Sequence, residues 1–296
     1  MNLVLAGGTG FLGTALQRWL RNDGHSIAVL TRSPRHPNEF QWDPYGSPAG
    51  WVHVLQGADA VINLAGAPIS KRWTAAHKRE MWNSRIRSTR TLVEAMKSVR
   101  TMPATLINAS AVGIYGPRGD EPITERSAPG TGFLASLCRE WEREALVAGP
   151  QTRVVLLRSG IALGRDGGAL PLMALPFRFF VGGPLGSGRQ YMSWIHRDDW
   201  VAMVSWALTT TAVAGPLNIT APNPATNGEL SRTLGRALGR PSLLPVPPIA
   251  LRLAVGEMAG ELVDGQRVLP ERARAEGFAF QYPELEGALG EIYRRA

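Results

Sequence analysis

The residues of this 296-residue chain best suited by type and spacing to chemistry are three glycines at positions 7, 10 and 13 and an arginine at 32. In Gly7-Gly8-Thr9-Gly10-Phe11-Leu12-Gly13 the glycines allow a tight turn, admit a pyrophosphate against the main chain, and pack a helix close to a strand. Backbone amides and the positive end of the following helix suit phosphate oxygens. Gly7, Thr9, Gly10, Phe11, Leu12 and Gly13 are therefore read as nucleotide-binding, the competing reading being a purely structural glycine turn. The second strand says which nucleotide. No Asp or Glu lies between Asp23 and Glu39 to accept a ribose 2′-hydroxyl, whereas Thr31 and Arg32 stand at the strand's end with Arg35 nearby. An Arg there accommodates a 2′-phosphate, so the pattern favours NADP, unless Arg32 is merely a solvated side chain.

Further polar groups stand where strands end. Ser110 closes an apolar run and is placed to hydrogen-bond a substrate oxygen. Tyr115 is placed either to donate a proton or to pack beneath the loop, and these two are the catalytic candidates. His196 titrates in the right range for acid/base work. The single cysteine, Cys138, excludes an intrachain disulfide and reads as a small buried hydrophobe rather than a nucleophile. The five histidines (25, 36, 53, 77 and 196) lack metal-ligand spacing, so no metal site is expected.

The elements that must position these groups follow from periodicity. Residues 2–6 form an apolar run, and Leu12, Ala15, Leu16, Trp19 and Leu20 share one face of a helix. Strands are expected at 26–30, 60–66, 105–110 and 154–158, with helices at 74–98 and 132–147 between them and a Pro- and Gly-rich loop around 34–50. Strand–helix alternation implies an α/β fold, a Rossmann doubly wound parallel sheet whose ligands lie beyond the strand C-terminal ends. Those ends carry Gly7–Gly13, Arg32, Leu64, Ala65, Gly66, Ser110, Arg158 and Ser159, and one cleft collects them. Beyond Gly160 glycine and proline become frequent, with helices expected at 198–208, 226–238, 248–262 and 283–295 and a short strand at 217–220. The expected division is 1–164 for the Rossmann domain, which recruits parts of 190–224, and 165–296 for a smaller mixed lobe that covers the substrate.

Composition narrows the class. A hydrophobic content of 44% and a charged content of 19% describe an ordinary globule with a large core. The net charge of +8 suits phosphate-bearing ligands, while the scattered basic residues, with Lys only at 71, 78 and 97, carry no nucleic-acid motif. The first strand begins at the N-terminus, so no signal peptide is expected, and the apolar stretch 169–181 is too short to span a bilayer. A cytoplasmic protein with a small-molecule substrate and neither membrane nor nucleic-acid partner is the expectation.

With those residues in hand, the chain resembles the extended short-chain dehydrogenase/reductase family, and within it the NADP-binding epimerase-family proteins of unassigned substrate. The resemblance runs nearly end to end, through the glycine turn, Asn63-Leu64-Ala65-Gly66, Ser110-Ala111-Val112-Gly113-Ile114-Tyr115-Gly116, Arg158-Ser159-Gly160 and Ser193-Trp194-Ile195-His196-Arg197-Asp198-Asp199. Ala221-Pro222-Asn223-Pro224 and Gly265-Gln266-Arg267-Val268-Leu269-Pro270 resemble that subgroup in particular. The resemblance implies a Rossmann fold, NADP, and oxidoreductase or epimerase chemistry. It also implies that Glu80 and Arg85 reach the cofactor, the alternative being a charged pair on a solvated helix face. In the wider family the Ile-His-x-x-Asp setting of His196 is structural.

The chain departs from the family in its acid/base pair. Characterised members use a Tyr whose pKa is lowered by a Lys four residues on, because a phenol near its ordinary pKa of about 10 is a poor base. Here Tyr45, Tyr115, Tyr191 and Tyr282 are followed at that spacing by Ala49, Gly119, Ile195 and Glu286, and Tyr293 has no residue there. Two readings follow: an NADP-dependent oxidoreductase or epimerase-like enzyme with an atypical active site, and a non-catalytic NADP-binding module that contacts a protein partner. Both predict that Arg32 sets cofactor choice. A charge-assisted contact is worth about 1.5–3 kcal/mol, or about ten- to a hundredfold in affinity. Calorimetry should show that preference for NADP over NAD in the wild type and its loss in Arg32→Ala; equal wild-type affinities would contradict it.

Overall fold

In the computed structural model, which describes residues 1–247, 249, 251 and 256–294, seven parallel strands form the centre of the molecule. They are β1 (Asn2–Ala6), β2 (Ser26–Thr31), β3 (Glu39–Gln41), β4 (Ala60–Asn63), β5 (Thr105–Ala111), β7 (Arg153–Ser159) and β11 (Gly215–Ile219). Their order is β3-β2-β1-β4-β5-β7-β11. The runs Leu3–Ala6, Ala60–Ile62 and Val154–Leu157 are buried throughout, as strands covered on both faces require. Helices α1 (Phe11–Asn22) and α5 (Arg197–Thr209) pack on one face through Leu16, Leu20, Trp200 and Val204. Helices α2 (Ala75–Ser98) and α3 (Phe133–Leu146) cover the other through Leu92, Met96 and Ala145. Strand order reverses at β1, with Ala6 opposite Leu30 on one side and Asn63 on the other. This doubly wound, Rossmann-like sheet therefore places its ligand crevice beyond Ala6.

The second lobe is built from short pieces. Strand pairs β6 (Pro122–Ile123) with β13 (Arg267–Val268) and β8 (Ile161–Leu163) with β10 (Trp194–His196) join it to loops of the first 164 residues, and β9 (Tyr191–Met192) with β12 (Ala225–Thr226) ties its own loops together. Helices α4 (Leu170–Arg178), α6 (Asn227–Leu238) and Leu285–Tyr293 enclose a separate core of Leu170, Ala174, Phe177, Leu234 and Leu289.

The short strands of the second lobe were hidden from periodicity, and so were β3 and α4. β3 lies inside the segment read as a Pro- and Gly-rich loop, held by pairing with Val29–Thr31 of β2. α4 forms despite its prolines. Pro171 occupies the first turn, where no donor is needed, and burial of Ala174 and Phe177 holds the turn that contains Pro176. Part of the helix expected over 248–262 (residues 248, 250 and 252–255) lies outside the described residues, and helix is observed at Met258–Asp264. Residue 295, the expected end of the last helix, also lies outside them.

His196 and Asp199 join the two lobes. His196 Nδ1 accepts the Asp198 amide (3.1 Å) and so caps α5, while Nε2 reaches Glu291 at 3.0 Å and the ring stacks on Tyr282 at 4.0 Å. The Asp199 carboxylate is buried and accepts the Gln281 and Tyr282 amides, both at 2.8 Å. Burial raises its pKa against the pull of those two amides. Both polar ends of His196 are thus engaged in structure. Asp199→Ala removes the acceptor of two part-buried amides, and urea unfolding should show a loss of about 1–3 kcal/mol in all with cofactor affinity unchanged.

Candidate functional site

The phosphate turn is built by geometry at three glycines that are not equivalent. Gly7 has φ +77°, and a Cβ there would lie 2.7 Å from the Ala65 amide, so the turn closes directly on the loop after β4. A Cβ at Gly13 would meet the Gly8 carbonyl at 2.6 Å, which sets how closely α1 approaches β1. Gly10 is different: its Cβ would touch only the Gly7 carbonyl, at 3.7 Å, and the space it faces is open. Gly10 caps α1 with no side-chain hydrogen bond, and the first turn has no acidic residue. The amides of Phe11, Leu12 and Gly13 therefore have no intrahelical acceptor and suit an anion. Thr9 is exposed beside them, and Leu12 packs onto the core.

Phe11 is held from the second lobe. Its ring lies where Cβ atoms on Gly164, Gly167 and Gly168 would come within 2.6, 2.6 and 3.0 Å, and the Arg197 guanidinium lies 5.8 Å from its centre. At the end of β2, Arg32 is exposed and forms no ion pair among the described residues, while the Thr31 hydroxyl accepts the Ser33 amide.

Asparagines shape the ends of β4 and β5. Asn63 donates to Asn108 Oδ1 (2.7 Å) and to the Thr89 hydroxyl (2.9 Å), and its own oxygen accepts the Ala65 amide. Trp141 of α3 donates to the same hydroxyl at 2.9 Å. This fully buried network orients Leu64, Ala65 and Gly66 across the crevice. Against that loop lies Arg85. Its guanidinium lies flat on Gly66, where a Cβ would meet Cζ at 3.0 Å, and stands 5.0 Å from the Trp141 ring. Among the described residues its donors reach only the carbonyls of Ala67 (3.0 Å) and Met81 (3.3 Å), and Nε is buried without a partner. Burial lowers the pKa of Arg85 below the usual guanidinium range. Glu80, half-exposed one turn earlier, faces His77 Nδ1 at 3.0 Å, and His77 Nε2 reaches the Pro68 carbonyl at 2.9 Å. The solvated Glu80–Arg85 pair weighed from sequence is not formed: Arg85 is buried alone.

A second polar network occupies the ends of β5 and β7. Arg158 grips Glu142 through Nε (2.9 Å) and Nη2 (2.8 Å) and donates from Nη1 to the Tyr115 oxygen at 2.9 Å. Ser110 donates to Glu142 at 2.7 Å, and Tyr115 donates to Asn218 Oδ1 at 2.7 Å. Asn218 and Glu125 in turn hold the Leu269 carbonyl and the Arg272 amide, anchoring the Gly265–Pro270 motif. Burial works against the charge on Arg158, yet Glu142 outweighs it and raises the pKa. Burial also raises the Tyr115 phenol despite Arg158, so the phenol stays neutral. Ser110, Tyr115 and Arg158 thus turn their polar atoms inward here, and the Ser159 hydroxyl accepts from Trp200. Cys138 is buried nearby, its thiol pushed up to about 12 by burial, which keeps it unreactive. Sequence reading assigned no role to Glu142, Asn63, Asn108 or Asn218. The available signal was a polar residue set among buried apolar ones. Among the described residues no cluster of ligating side chains could hold a metal.

The reversed strand order and the glycine turn beside it define a protein of the Rossmann class. The chain belongs to the NAD dependent epimerase/dehydratase family, whose profile matches residues 3–220, and a domain of unknown function, DUF1731, matches residues 246–292. It is 44% identical to the "Epimerase family protein SDR39U1 homolog, chloroplastic" of Arabidopsis thaliana over 99% of this chain and 86% of that one. It is 41% identical to the epimerase family protein YfhF of Bacillus subtilis, over 99% and 98% of the two chains. The crystal structure of the human epimerase family protein SDR39U1 with NADPH superposes with a TM-score of 0.93 at 37% identity, covering both chains completely.

Two predictions follow from this geometry. Gly10→Val should leave thermal stability near wild type but abolish NADPH fluorescence enhancement, whereas Gly13→Ala, which collides with backbone, should lower the melting temperature. Similar melting losses for both would show that Gly10 is only structural. Glu142→Ala strands a buried guanidinium and should cost about 3–5 kcal/mol in urea unfolding. Adding Arg158→Met should restore much of that loss.

Proposed function

We propose that this chain binds NADP(H) and acts as an oxidoreductase or epimerase-like enzyme on a small molecule in the cytoplasm, without a Tyr–Lys dyad. The observation that carries the reading is Arg85, a buried cation that among the described residues has no carboxylate partner and an orphaned Nε, placed beside the crevice at Gly66. A buried unpaired charge is costly, and such strained electrostatics cluster at functional sites. The cofactor fit is supported by the open face at Gly10, the uncapped start of α1 and the unpaired Arg32. Binding of NADPH by the human relative supports the same choice.

A nicotinamide cofactor held at the glycine turn and Arg32 would supply or accept a hydride. The chain's own part is electrostatic. Arg85 stays protonated and stabilises negative charge developing on a substrate oxygen, which favours polarising a carbonyl for reduction. Because the Tyr115 phenol is spent on Asn218 and Arg158, water delivers the proton to that oxygen. The same inward placement of Ser110 and Tyr115 favours the second reading, a non-catalytic NADP-binding module.

Turnover separates the two. With NADPH and a panel of aldehydes and ketones, Arg85→Met should lower the rate of nicotinamide oxidation about a hundredfold, while Tyr115→Phe should change it little. Wild-type turnover in Arg85→Met would remove its assigned role. Tight NADPH binding with no turnover on any carbonyl would support the module.

A further inference from the structure

The second lobe exposes an apolar surface that neither reading uses. Leu172, Leu175 and Phe179 recur at i, i+3 and i+7 along α4 and its end, on the side away from buried Ala174 and Phe177, and Phe179 is 70% exposed. The segment after α6 runs alongside: the Leu243 and Leu244 amides donate to the Gly182 carbonyl, and Val246 donates to that of Pro184. Leu243, 78% exposed, lies on this adjoining segment. Between the two segments stands Phe180, whose φ of +61° is one that bulky residues avoid. Its ring is held outward, 58% exposed, with the Arg240 guanidinium 4.5 Å from its centre. Strain of this kind persists where the surroundings enforce it and clusters at functional surfaces.

Charge indicates what covers the patch. Neither 169–184 nor 239–251 contains an acidic residue, while Arg178 and Arg240 are both exposed within them. Protruding apolar tips flanked by guanidinium groups match an anionic bilayer surface, where apolar insertion and electrostatic attraction act together. No helix among the described residues is long and apolar enough to cross a membrane, and peripheral docking needs none. We propose that the lobe formed by α4, Phe179–Phe180 and Leu243–Leu244 docks on anionic phospholipid through these side chains, with Arg178 and Arg240 at the headgroups. The proposal departs from the expectation of no membrane partner.

Sedimentation of the full chain with vesicles tests it. Vesicles of phosphatidylcholine containing about 30% phosphatidylglycerol should carry the protein down, and phosphatidylcholine alone should carry little. Salt near 1 M, where the screening length falls to about 3 Å, should release much of it. Phe179→Ser with Leu243→Ser should weaken partitioning at least tenfold, since each large side chain withdrawn from water contributes about a tenfold factor. Phe180→Gly should also weaken it while relieving the positive φ, so its melting temperature should be no lower than wild type and misfolding cannot explain the loss. The proposal is overturned if anionic vesicles leave the protein in solution, if neutral vesicles bind it equally, or if the variants bind like wild type. A concentration-dependent dimer broken by the variants, without vesicle binding, would overturn it in favour of a second copy as the occupant.

Discussion

The ion pair between Glu142 and Arg158 is the constraint on which the cleft floor depends. Arg158 ends β7 and Glu142 faces it from α3, and through their free valences they hold Ser110 at the end of β5 and Tyr115 in the turn beyond it. Tyr115 passes the connection to Asn218 on β11. Three neighbouring strands, a helix and the C-terminal motif are thereby placed by one buried, bidentate contact. Removing two charges from water costs several kcal/mol per ion, roughly. Only close geometry with the remaining donors satisfied offsets that cost, and both conditions are met here. The pair is better understood as specifying one arrangement of these elements than as a large net gain in stability.

Arg85 shows the opposite condition. It is buried as deeply as Arg158 but has only two carbonyls and an indole face around it. The folded chain tolerates this because the guanidinium spreads its charge and the Trp141 face offers partial compensation, about 0.5–2 kcal/mol. The two arginines thus divide the labour. Arg158 is paired with a carboxylate and fixes structure, whereas Arg85 has no carboxylate partner among the described residues.

The lobes are joined at points that also shape the crevice. The three-glycine cradle around Phe11 ties the phosphate turn to the start of the second lobe, and His196 and Asp199 tie α5 to the C-terminal segment. In each case a short polar or glycine motif makes contact across a long sequence separation. That is why these motifs stand out in the sequence although their purposes differ.

The sequence by itself determined the sheet apart from β3, together with the glycine turn beside β1, because each rests on local rules: apolar runs and glycine spacing. Gly7, Gly10 and Gly13 were legible as a group, but only the structure separates the two that close the turn from the one that faces open space. Ser110 and Arg158 lie near strand ends as expected and Tyr115 lies in the turn after β5, yet the direction of their polar atoms depends on Glu142 and Asn218, which lie 32 and 103 residues from Ser110 and Tyr115 respectively. Likewise the prolines of α4 obscured a helix that burial against α6 holds together. Backbone conformation is largely a local property, whereas the partner of a buried charge or hydroxyl is chosen by packing between distant segments, and that choice is made only in three dimensions.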